Sequence, residues 1–479
     1  MTAEPLWTAA EAAAATGGTA TGWQSVTGIS IDTREIAPGE LFVALKGDNR
    51  DGHAFVADAL ARGAGAAMVT HRPEGVAEDA PLLVVGDTLE GLRSLAAAAR
   101  ARMQGRVIAV TGSLGKTTVK EMLAAMLATQ GRTHAATRSF NNHWGVPLTL
   151  ARMPRDTDWA VIEIGMNHAG EITPLTRLAR PDVALVTTVA AVHLENFESV
   201  AGIADAKAEI FAGLGPEGTA VIPADNDHAG RLRAAAEGHA QLSFGEGEAD
   251  IRLVEATPGA EATSLRVEIR GAPAFVRLPA PGRHLALNAT AALAAAVAAG
   301  ADPARAILGL SAWAPGAGRG AREAVTLGPE GLDGTIALID ESYNASPASV
   351  RAALAVLGMA EVEHDIGRIA RGRRVAFLGD MLELGPEEAA LHAALAEAPE
   401  MAAIDRVHTC GPRMRALHDA LPPGRRGQWF EDSTAMAEAV RRLVDAGDVC
   451  MVKGSNGSRM ARVVAAIRAL GAPDGGGRT

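Results

Sequence analysis

The stretch Val107 to Thr118, VIAVTGSLGKTT, constrains this chain more tightly than any other. Val107, Ile108, Ala109 and Val110 read as a buried parallel strand, and Thr111, Gly112, Ser113, Leu114 and Gly115 as a tight turn. Lys116-Thr117-Thr118 then open a helix that continues through VKEMLAAMLATQ. Strand, glycine turn and helix in that order aim backbone N–H groups and the positive helix end at one small volume, which is how phosphate is held. In such a site Lys116 brings a mobile positive charge to the terminal phosphates and the Thr117 hydroxyl ligates Mg²⁺. The general pattern places a glycine five residues before the Gly-Lys pair; Val110 stands there, so this loop is a short variant. The apolar strand in front and the unbroken helix behind supply the context that a chance Gly-Lys-Thr lacks, and mark a nucleoside triphosphate site.

At 479 residues the chain is too long for one core, and roughly two to four domains are expected. Hydrophobic residues make up 48% and are spread evenly, so the chain is globular rather than disordered. A formal charge of −11 argues against nonspecific nucleic-acid binding and leaves anionic ligands to local basic residues and loops. Cys410 and Cys450 have no metal-type spacing and suit a reducing compartment. The opening MTAEPLWTAAEAAAATGG has no basic n-region, and no run approaches the roughly 18 apolar residues of a membrane span. Composition therefore predicts a soluble cytoplasmic protein.

Residues 1–104 alternate short strands (GISID, ELFVAL, AAMVT, LLVV) with the helical runs FVADALARGA and TLEGLRSLAAAARARM, the pattern of a small α/β domain. Ser30, Asp32-Thr33-Arg34, Lys46-Gly47 and Asp51-Gly52-His53 sit at strand ends and in loops, where ligands are usually met. Residues 105–316 form a second domain beginning with the phosphate loop. WAVIEIGM places Glu163 at the end of an apolar strand, suited to holding Mg²⁺ beside that loop. His193 follows another buried strand, DVALVTTV, and SVAGIADAKAEIFAGL reads as a helix bearing Lys207 with Ser199 at its cap. Short β-type runs between Gly218 and Leu278 (TAVIPA, QLSFGE, IRLVEA, SLRVEIR, AFVRLP) predict an antiparallel addition to a mostly parallel sheet. HLALNATAALAAAVAAG is strongly helical, with Asn288 its odd polar member.

WAPGAGRGAR, which contains Arg319, reads as a turn-rich linker and domain boundary. Residues 317–479 then alternate four apolar strands (TIALID, RRVAFLGDM, DRVHTC, DVCMVK) with helices, a third and Rossmann-like α/β domain. Its strands deliver Asp340-Glu341, Gly379-Asp380 and Lys453-Gly454-Ser455-Asn456 at their C-terminal ends, the edge where ligands of open α/β sheets gather. A glycine-lysine loop, a strand-end Glu, a following His and a third domain behind a hinge point to ATP used with closure. Hydrolysis, phosphoryl transfer and ligation all remain compatible with that grouping.

The motifs TGSLGKTT, SFNNHWGVPLTL, AVIEIGMNHAGEI, AKAEIF, DESYNASPASVRAAL, LGDMLELG and VKGSNGSRM resemble those of the Mur ligase superfamily across essentially the full length. ESYNASP places the resemblance with members that add D-alanyl-D-alanine. Diaminopimelate- or lysine-adding members carry a His-Thr-Pro version, often with a downstream Asp-Asn-Pro-Arg that is absent here, and folylpolyglutamate synthases an Asp-Gly-Ala-His-Asn-Pro run. The resemblance implies a UDP-sugar domain (1–104), an ATP domain (105–316) and an amino-acid or dipeptide domain (317–479). It implies that ATP phosphorylates the terminal carboxylate of a UDP-N-acetylmuramoyl tripeptide, whose acyl phosphate the dipeptide amine then attacks. The product implied is the pentapeptide precursor of peptidoglycan.

By the same resemblance, Lys116 meets the terminal phosphates, Thr117 and Glu163 the first Mg²⁺, and His193 a second. Lys207 matches a lysine that is carbamylated in the superfamily, a change that turns a metal-repelling cation into an anion. Asn288 is implied near adenine, Arg319 at the γ-phosphate, and Asp340 or Glu341 at the ribose, where the family commonly has two aspartates. Ser30, Thr33, Arg34, Lys46 and Gly47 match the uridine-diphosphate region, Asn141 and Asn142 the muramoyl group, and Tyr343 and Asn344 the dipeptide pocket. Thr33 keeps the hydroxyl of a frequent serine, and Ser346 replaces a frequent asparagine. A monomer acting on small molecules is expected. The competing readings are another amide ligase of the superfamily and a non-catalytic nucleotide-binding regulator.

Overall fold

The computed structural model describes residues 5–47, 50–192, 194–328 and 333–471; His193 lies outside them. The chain divides into two compact units, one comprising Met1–Val189, Ala201–Phe244 and Ala291–Gly309, the other Ala190–Val200, Gly245–Thr290 and Leu310–Thr479.

In the first unit β1 (Thr19–Thr21), β2 (Gly28–Ser30), β3 (Glu40–Val43), β4 (Ala66–Val69) and β5 (Leu82–Val84) form a sheet in the order β1-β5-β4-β3-β2. Only β1 runs antiparallel. Helix α1 (Thr88–Arg102) starts where the Asp87 carboxylate accepts from the Leu89 and Glu90 amides, and it ends with Arg100 and Arg102 in its last turn. Its Leu92, Leu95, Ala96 and Ala99 recur at helical spacing and are buried.

The central strands are β6 (Arg106–Thr111), β7 (Thr133–Ala135), β8 (Trp159–Glu163), β9 (Val183–Val186), β10 (Thr219–Pro223) and β11 (Ala240–Gly245). Their order is β11-β10-β9-β6-β8-β7, and all are parallel. Helices α2 (Lys116–Ala128), α3 (Gly145–Ala151), α4 (Ile172–Ala179) and α5 (Val200–Ala208) follow successive strands. A parallel strand covered on both faces needs apolar residues on both, and every residue from Val107 to Thr111 is fully buried. The N-terminal segment is tied to this sheet. Trp7 Nε1 donates to the Ala151 carbonyl (2.9 Å), Arg102 lies 3.8 Å above the Trp7 ring, and Arg152 Nε donates to the Ile29 carbonyl (2.6 Å).

The second unit contains an antiparallel meander of β12 (Ile251–Pro258), β13 (Thr263–Ile269) and β14 (Ala272–Leu278). After α6 (Arg283–Ala298) comes a sheet of β15 (Ala321–Thr326), β16 (Thr335–Glu341), β17 (Arg374–Gly379), β18 (Arg406–Cys410), β19 (Arg426–Phe430) and β20 (Val449–Lys453), ordered β15-β16-β20-β17-β18-β19. Leu354 and Leu357 of α7 (Pro347–Met359) pack one face with Leu378 and Val407. Met436 and Val440 of α8 (Ser433–Leu443) and Val463 of α9 (Ala461–Ala469) pack the other with Phe377 and Val452. Neighbouring β16 and β20 thus send their chains to opposite faces, which opens a crevice at their C-terminal ends.

Three sequence expectations need correction. TAVIPA and QLSFGE are parallel, not part of the antiparallel addition. A helix, Ala229–Ala235, crosses between them, whereas β12 to β14 are joined by short turns that permit only antiparallel return. The C-terminal sheet has six strands rather than four. Its extra members β15 and β19 are edges, half-exposed along most of their length, so no continuous apolar run announces them. The helix expected across FVADALARGA is short, Val56–Ala61, and is preceded by a 3₁₀ turn at Gly52–Phe55. Among the described residues no helix is long and apolar enough to cross a membrane.

Candidate active site

The glycine turn between β6 and α2 is laced to the end of β9. Ser113 N donates to the Thr188 carbonyl (2.8 Å), and Thr187 Oγ1 donates to the Leu114 carbonyl (2.6 Å). Gly112 has φ +146°, and a Cβ there would stand 1.9 Å from Thr187 Oγ1; Gly115, at φ +80°, turns the chain into the helix. Thr111 and Thr118 are buried flanks of this turn. The head of α2 has no side-chain cap and no acidic residue in its first turn. Such an end presents backbone donors and a positive partial charge to an anion. Lys116 Nζ folds over the loop and donates to the Gly112 carbonyl (2.7 Å).

Beside the loop, β8 delivers Glu163, 2% exposed. Glu163 Oε1 accepts from Ser139 Oγ (2.7 Å) and Asn141 Nδ2 (2.8 Å), and Thr117 Oγ1 donates to Ser139 Oγ (3.4 Å). Glu163 Oε2 is buried with no hydrogen-bond partner among the described residues. Lys207 on α5 is fully buried, and its Nζ likewise has none. Burial pushes the Lys207 ammonium well below the ordinary lysine range; the nearby Lys116 charge adds to this, while Glu171 and Glu209 oppose it. Both carboxylates are otherwise engaged. Glu209 accepts from the Gly170 and Thr173 amides (2.6 and 3.0 Å), and Glu171 from the Asn167 amide (2.8 Å).

Asn141 gives its amide protons to Ser139 (2.9 Å) and Glu163, and Asn142 Oδ1 accepts from the Gly145 amide (2.9 Å) at the head of α3. At the end of β2 the Ser30 hydroxyl donates to the Asp32 carbonyl (3.1 Å). Arg34 forks onto the Asp32 carboxylate (2.6 and 2.9 Å) and lowers it to about 2. Thr33 is half-buried beside them. The main chains of Lys46 and Asp51 form an isolated antiparallel β-bridge, and Gly47 N donates to the Arg50 carbonyl (2.9 Å). Glu35 meets Arg138 (2.5 Å), so this turn lies against the segment that carries Ser139.

In the second unit Asn288 is half-buried on α6. The Arg319 guanidinium lies 3.9 Å above the exposed Tyr343 ring. Asp340 Oδ1 accepts from the Ser342 hydroxyl (2.6 Å), and its Oδ2 faces Arg468 (3.4 Å). Glu341 pairs with the buried Lys453 (3.2 Å), which also holds the carbonyl of exposed Asn344 (3.0 Å).

Three sequence profiles match the chain in order: the Mur ligase family catalytic domain at residues 25–100, the Mur ligase middle domain at 110–296, and the Mur ligase glutamate ligase domain at 330–456. The UDP-N-acetylmuramoyl-tripeptide–D-alanyl-D-alanine ligase of Escherichia coli (strain K12) is 39% identical over 447 residues, 92% of this chain and 94% of that one. The chain belongs to the Mur ligase family. A solved Mur ligase, MurF from Acinetobacter baumannii, aligns with a TM-score of 0.80 at 31% identity, covering 98% of this chain and 100% of that one. MurF ligase from Thermotoga maritima, solved in complex with ADP, aligns with a TM-score of 0.72 at 25% identity over 92% and 97% of the two chains.

The donor set of this Mur ligase fits Mg²⁺. No group of three or more His, Cys, Asp or Glu side chains is gathered as a metal cage among the described residues. Mg²⁺ needs none, because it takes one or two carboxylates and completes its shell with phosphate and water oxygens. Glu163 Oε2, buried near the phosphate loop with no hydrogen-bond partner among the described residues, has the chemistry of such a ligand. Two residues given no role by the sequence reading, Lys120 and Ser139, belong to this neighbourhood. Helical spacing from Lys116 puts Lys120 on the same side of α2 one turn later, and that was the available signal.

Proposed function

We propose that this Mur ligase joins D-alanyl-D-alanine to the terminal carboxylate of a UDP-N-acetylmuramoyl tripeptide in an ATP-dependent reaction that completes the pentapeptide for peptidoglycan synthesis. The observation that carries the reading is the 39% identity to the Escherichia coli ligase of that name over nearly the whole of both chains. We assign residues 1–104 to the UDP-sugar, 105–316 to ATP and 317–479 to the dipeptide.

The reaction must bring a carboxylate against a triphosphate, and the two repel. The head of α2 and Lys116 bind the phosphates, and Arg319 reaches the γ-phosphate. Thr117 and Glu163 hold one Mg²⁺; His193 and a carbamate on Lys207 hold a second. Bound there, the cations would neutralise phosphate charge and polarise the transferring group. Support for the carbamate comes from Lys207 itself: burial disfavours its ammonium, its Nζ has no hydrogen-bond partner among the described residues, and the neutral amine is the form that adds CO₂ to give an anion compatible with a neighbouring cation. A tripeptide carboxylate oxygen attacks the γ-phosphorus and ADP leaves. The neutral amine of the dipeptide then attacks the acyl phosphate; the tetrahedral adduct loses inorganic phosphate and the nitrogen loses its proton.

Asn288 contacts adenine. Of the two ribose candidates we favour Glu341, whose side chain is 16% exposed against 4% for Asp340. Ser30, Thr33, Arg34, Lys46 and Gly47 serve the uridine diphosphate, Asn141 Oδ1 and Asn142 Nδ2 the muramoyl group, and Tyr343 with Asn344 the dipeptide. The protein acts as a cytoplasmic monomer.

The deciding experiment supplies ATP, Mg²⁺ and D-alanyl-D-alanine with UDP-N-acetylmuramoyl tripeptide ending in either diaminopimelate or lysine. Mass spectrometry should find pentapeptide, with matching ADP and phosphate, from at least one tripeptide and in no control lacking a substrate. Absence of pentapeptide from both refutes the reading.

A further inference from the structure

Lys120 is 1% exposed, one helical turn beyond Lys116 on α2. A buried ammonium needs acceptors, and Lys120 Nζ donates to the carbonyls of Ala136 (2.6 Å) and Arg138 (3.3 Å). Those carbonyls fix the main chain immediately before Ser139, whose hydroxyl is the meeting point of three groups.

Proton counting assigns the directions there. The Glu163 carboxylate can only accept, so the single Ser139 proton goes to Oε1 (2.7 Å). Ser139 Oγ then has lone pairs only, and it receives a proton from Asn141 Nδ2 (2.9 Å) and one from Thr117 Oγ1 (3.4 Å). The other amide proton of Asn141 goes to Glu163 Oε1 (2.8 Å). Two consequences follow for a cation. Oε1 carries two hydrogen bonds, which leaves Oε2 as the open carboxylate oxygen. The Thr117 proton is drawn towards Ser139, which turns the lone pairs of that hydroxyl elsewhere, as ligation requires.

We propose that Lys120 and Ser139 are positioning residues for the Mg²⁺ ligands. Lys120 holds the 136–139 segment, and Ser139 orients both the Thr117 hydroxyl and the Glu163 carboxylate without itself touching nucleotide or metal. The inference rests on reading the loop as a Mg²⁺-nucleotide site. Groups that orient metal ligands in this way typically change metal affinity by about 10- to 100-fold when removed.

The test titrates the full-length protein with Mn²⁺ in the presence of ADP, following free Mn²⁺ by electron paramagnetic resonance. Unfolding midpoints without metal, and the Mg²⁺ dependence of turnover, are recorded in parallel. Ser139→Ala should raise the half-saturating Mn²⁺ concentration by about 10-fold or more. The Mg²⁺ needed for half-maximal turnover should rise with it, while KM for D-alanyl-D-alanine and the metal-free midpoint hold. Ser139→Thr, which restores a hydroxyl, should recover most of the loss. Lys120→Met should shift metal binding in the same direction, and Lys120→Arg by less. Unchanged Mn²⁺ half-saturation in Ser139→Ala overturns the proposal. So does a shift that Ser139→Thr fails to reverse, because the effect then belongs to packing. If Lys120→Met does not fold, the Ser139 pair still decides. If the wild-type protein does not bind Mn²⁺ with ADP, the nucleotide-site reading fails and the proposal with it.

Discussion

A lysine buried from solvent with no hydrogen-bond partner is a poor place for a positive charge, and among the described residues Lys207 occupies such a place with the Lys116 ammonium nearby. As a bare cation it would raise the cost of bringing Mg²⁺ to the loop; as a neutral amine it would leave a buried donor unused. Carbamylation would resolve both problems, since it would supply an anion and two acceptor oxygens at the same position. Lys207→Ala should therefore lower turnover on the order of 100-fold while the protein stays folded. Formate or acetate at high concentration should return part of the activity, because either can bring a carboxylate into the vacated space. Steady-state rates with and without the acids check this. Full activity in Lys207→Ala would remove the carbamate from the mechanism, and loss without rescue would reduce Lys207 to a packing role.

The phosphate loop works as a unit made from the end of β6, the glycine turn and the head of α2. Gly112 is its tightest point, since the main chain there adopts φ +146° and passes against Thr187 Oγ1. Gly112→Ala adds a methyl to an occupied space in a conformation that costs a non-glycine residue about 1–3 kcal/mol. The loop should shift away from β9, with ADP affinity lost by more than 10-fold and the unfolding midpoint lowered; calorimetric titration and thermal melts measure the two. Wild-type affinity would show that the turn is not a phosphate cradle. This loop was legible in the sequence because local chemistry alone dictates it: an apolar strand, glycines, then helix formers. The central strands of each sheet were legible for the same reason, being buried on both faces and reading as continuous apolar runs. The edges were not. Strands β1, β7, β15 and β19 carry mostly exposed or half-exposed residues, and pairing with a neighbouring strand, not an apolar run of their own, makes them strands. At the candidate site, Thr117, Glu163 and Lys207 were singled out by motif. Ser139 was not, because its role depends on three side chains from separate segments converging on one hydroxyl.

Three family segments lie in order along the chain, yet its internal contacts gather it into two units. The links from Trp7 to Ala151, Arg152 to Ile29 and Arg138 to Glu35 show why the first two segments fall together. The second unit has cores of its own on both faces of the C-terminal sheet. A chain of this kind should not melt as one two-state system. Scanning calorimetry should give a calorimetric enthalpy well above the van't Hoff value, resolvable into two transitions. The phosphate loop, Glu163 and Lys207 all belong to the first unit, so Mg²⁺-pyrophosphate, which needs the loop and no more, should raise one transition and leave the other in place. At a hundredfold excess over its Kd the expected gain is about 2.7 kcal/mol. For a unit of roughly 250 residues that corresponds to a rise of about 5–10 °C. A single transition with equal enthalpies would contradict the division into units. Equal displacement of both transitions would mean that the loop's stability is coupled to the whole chain rather than held within the unit that contains it.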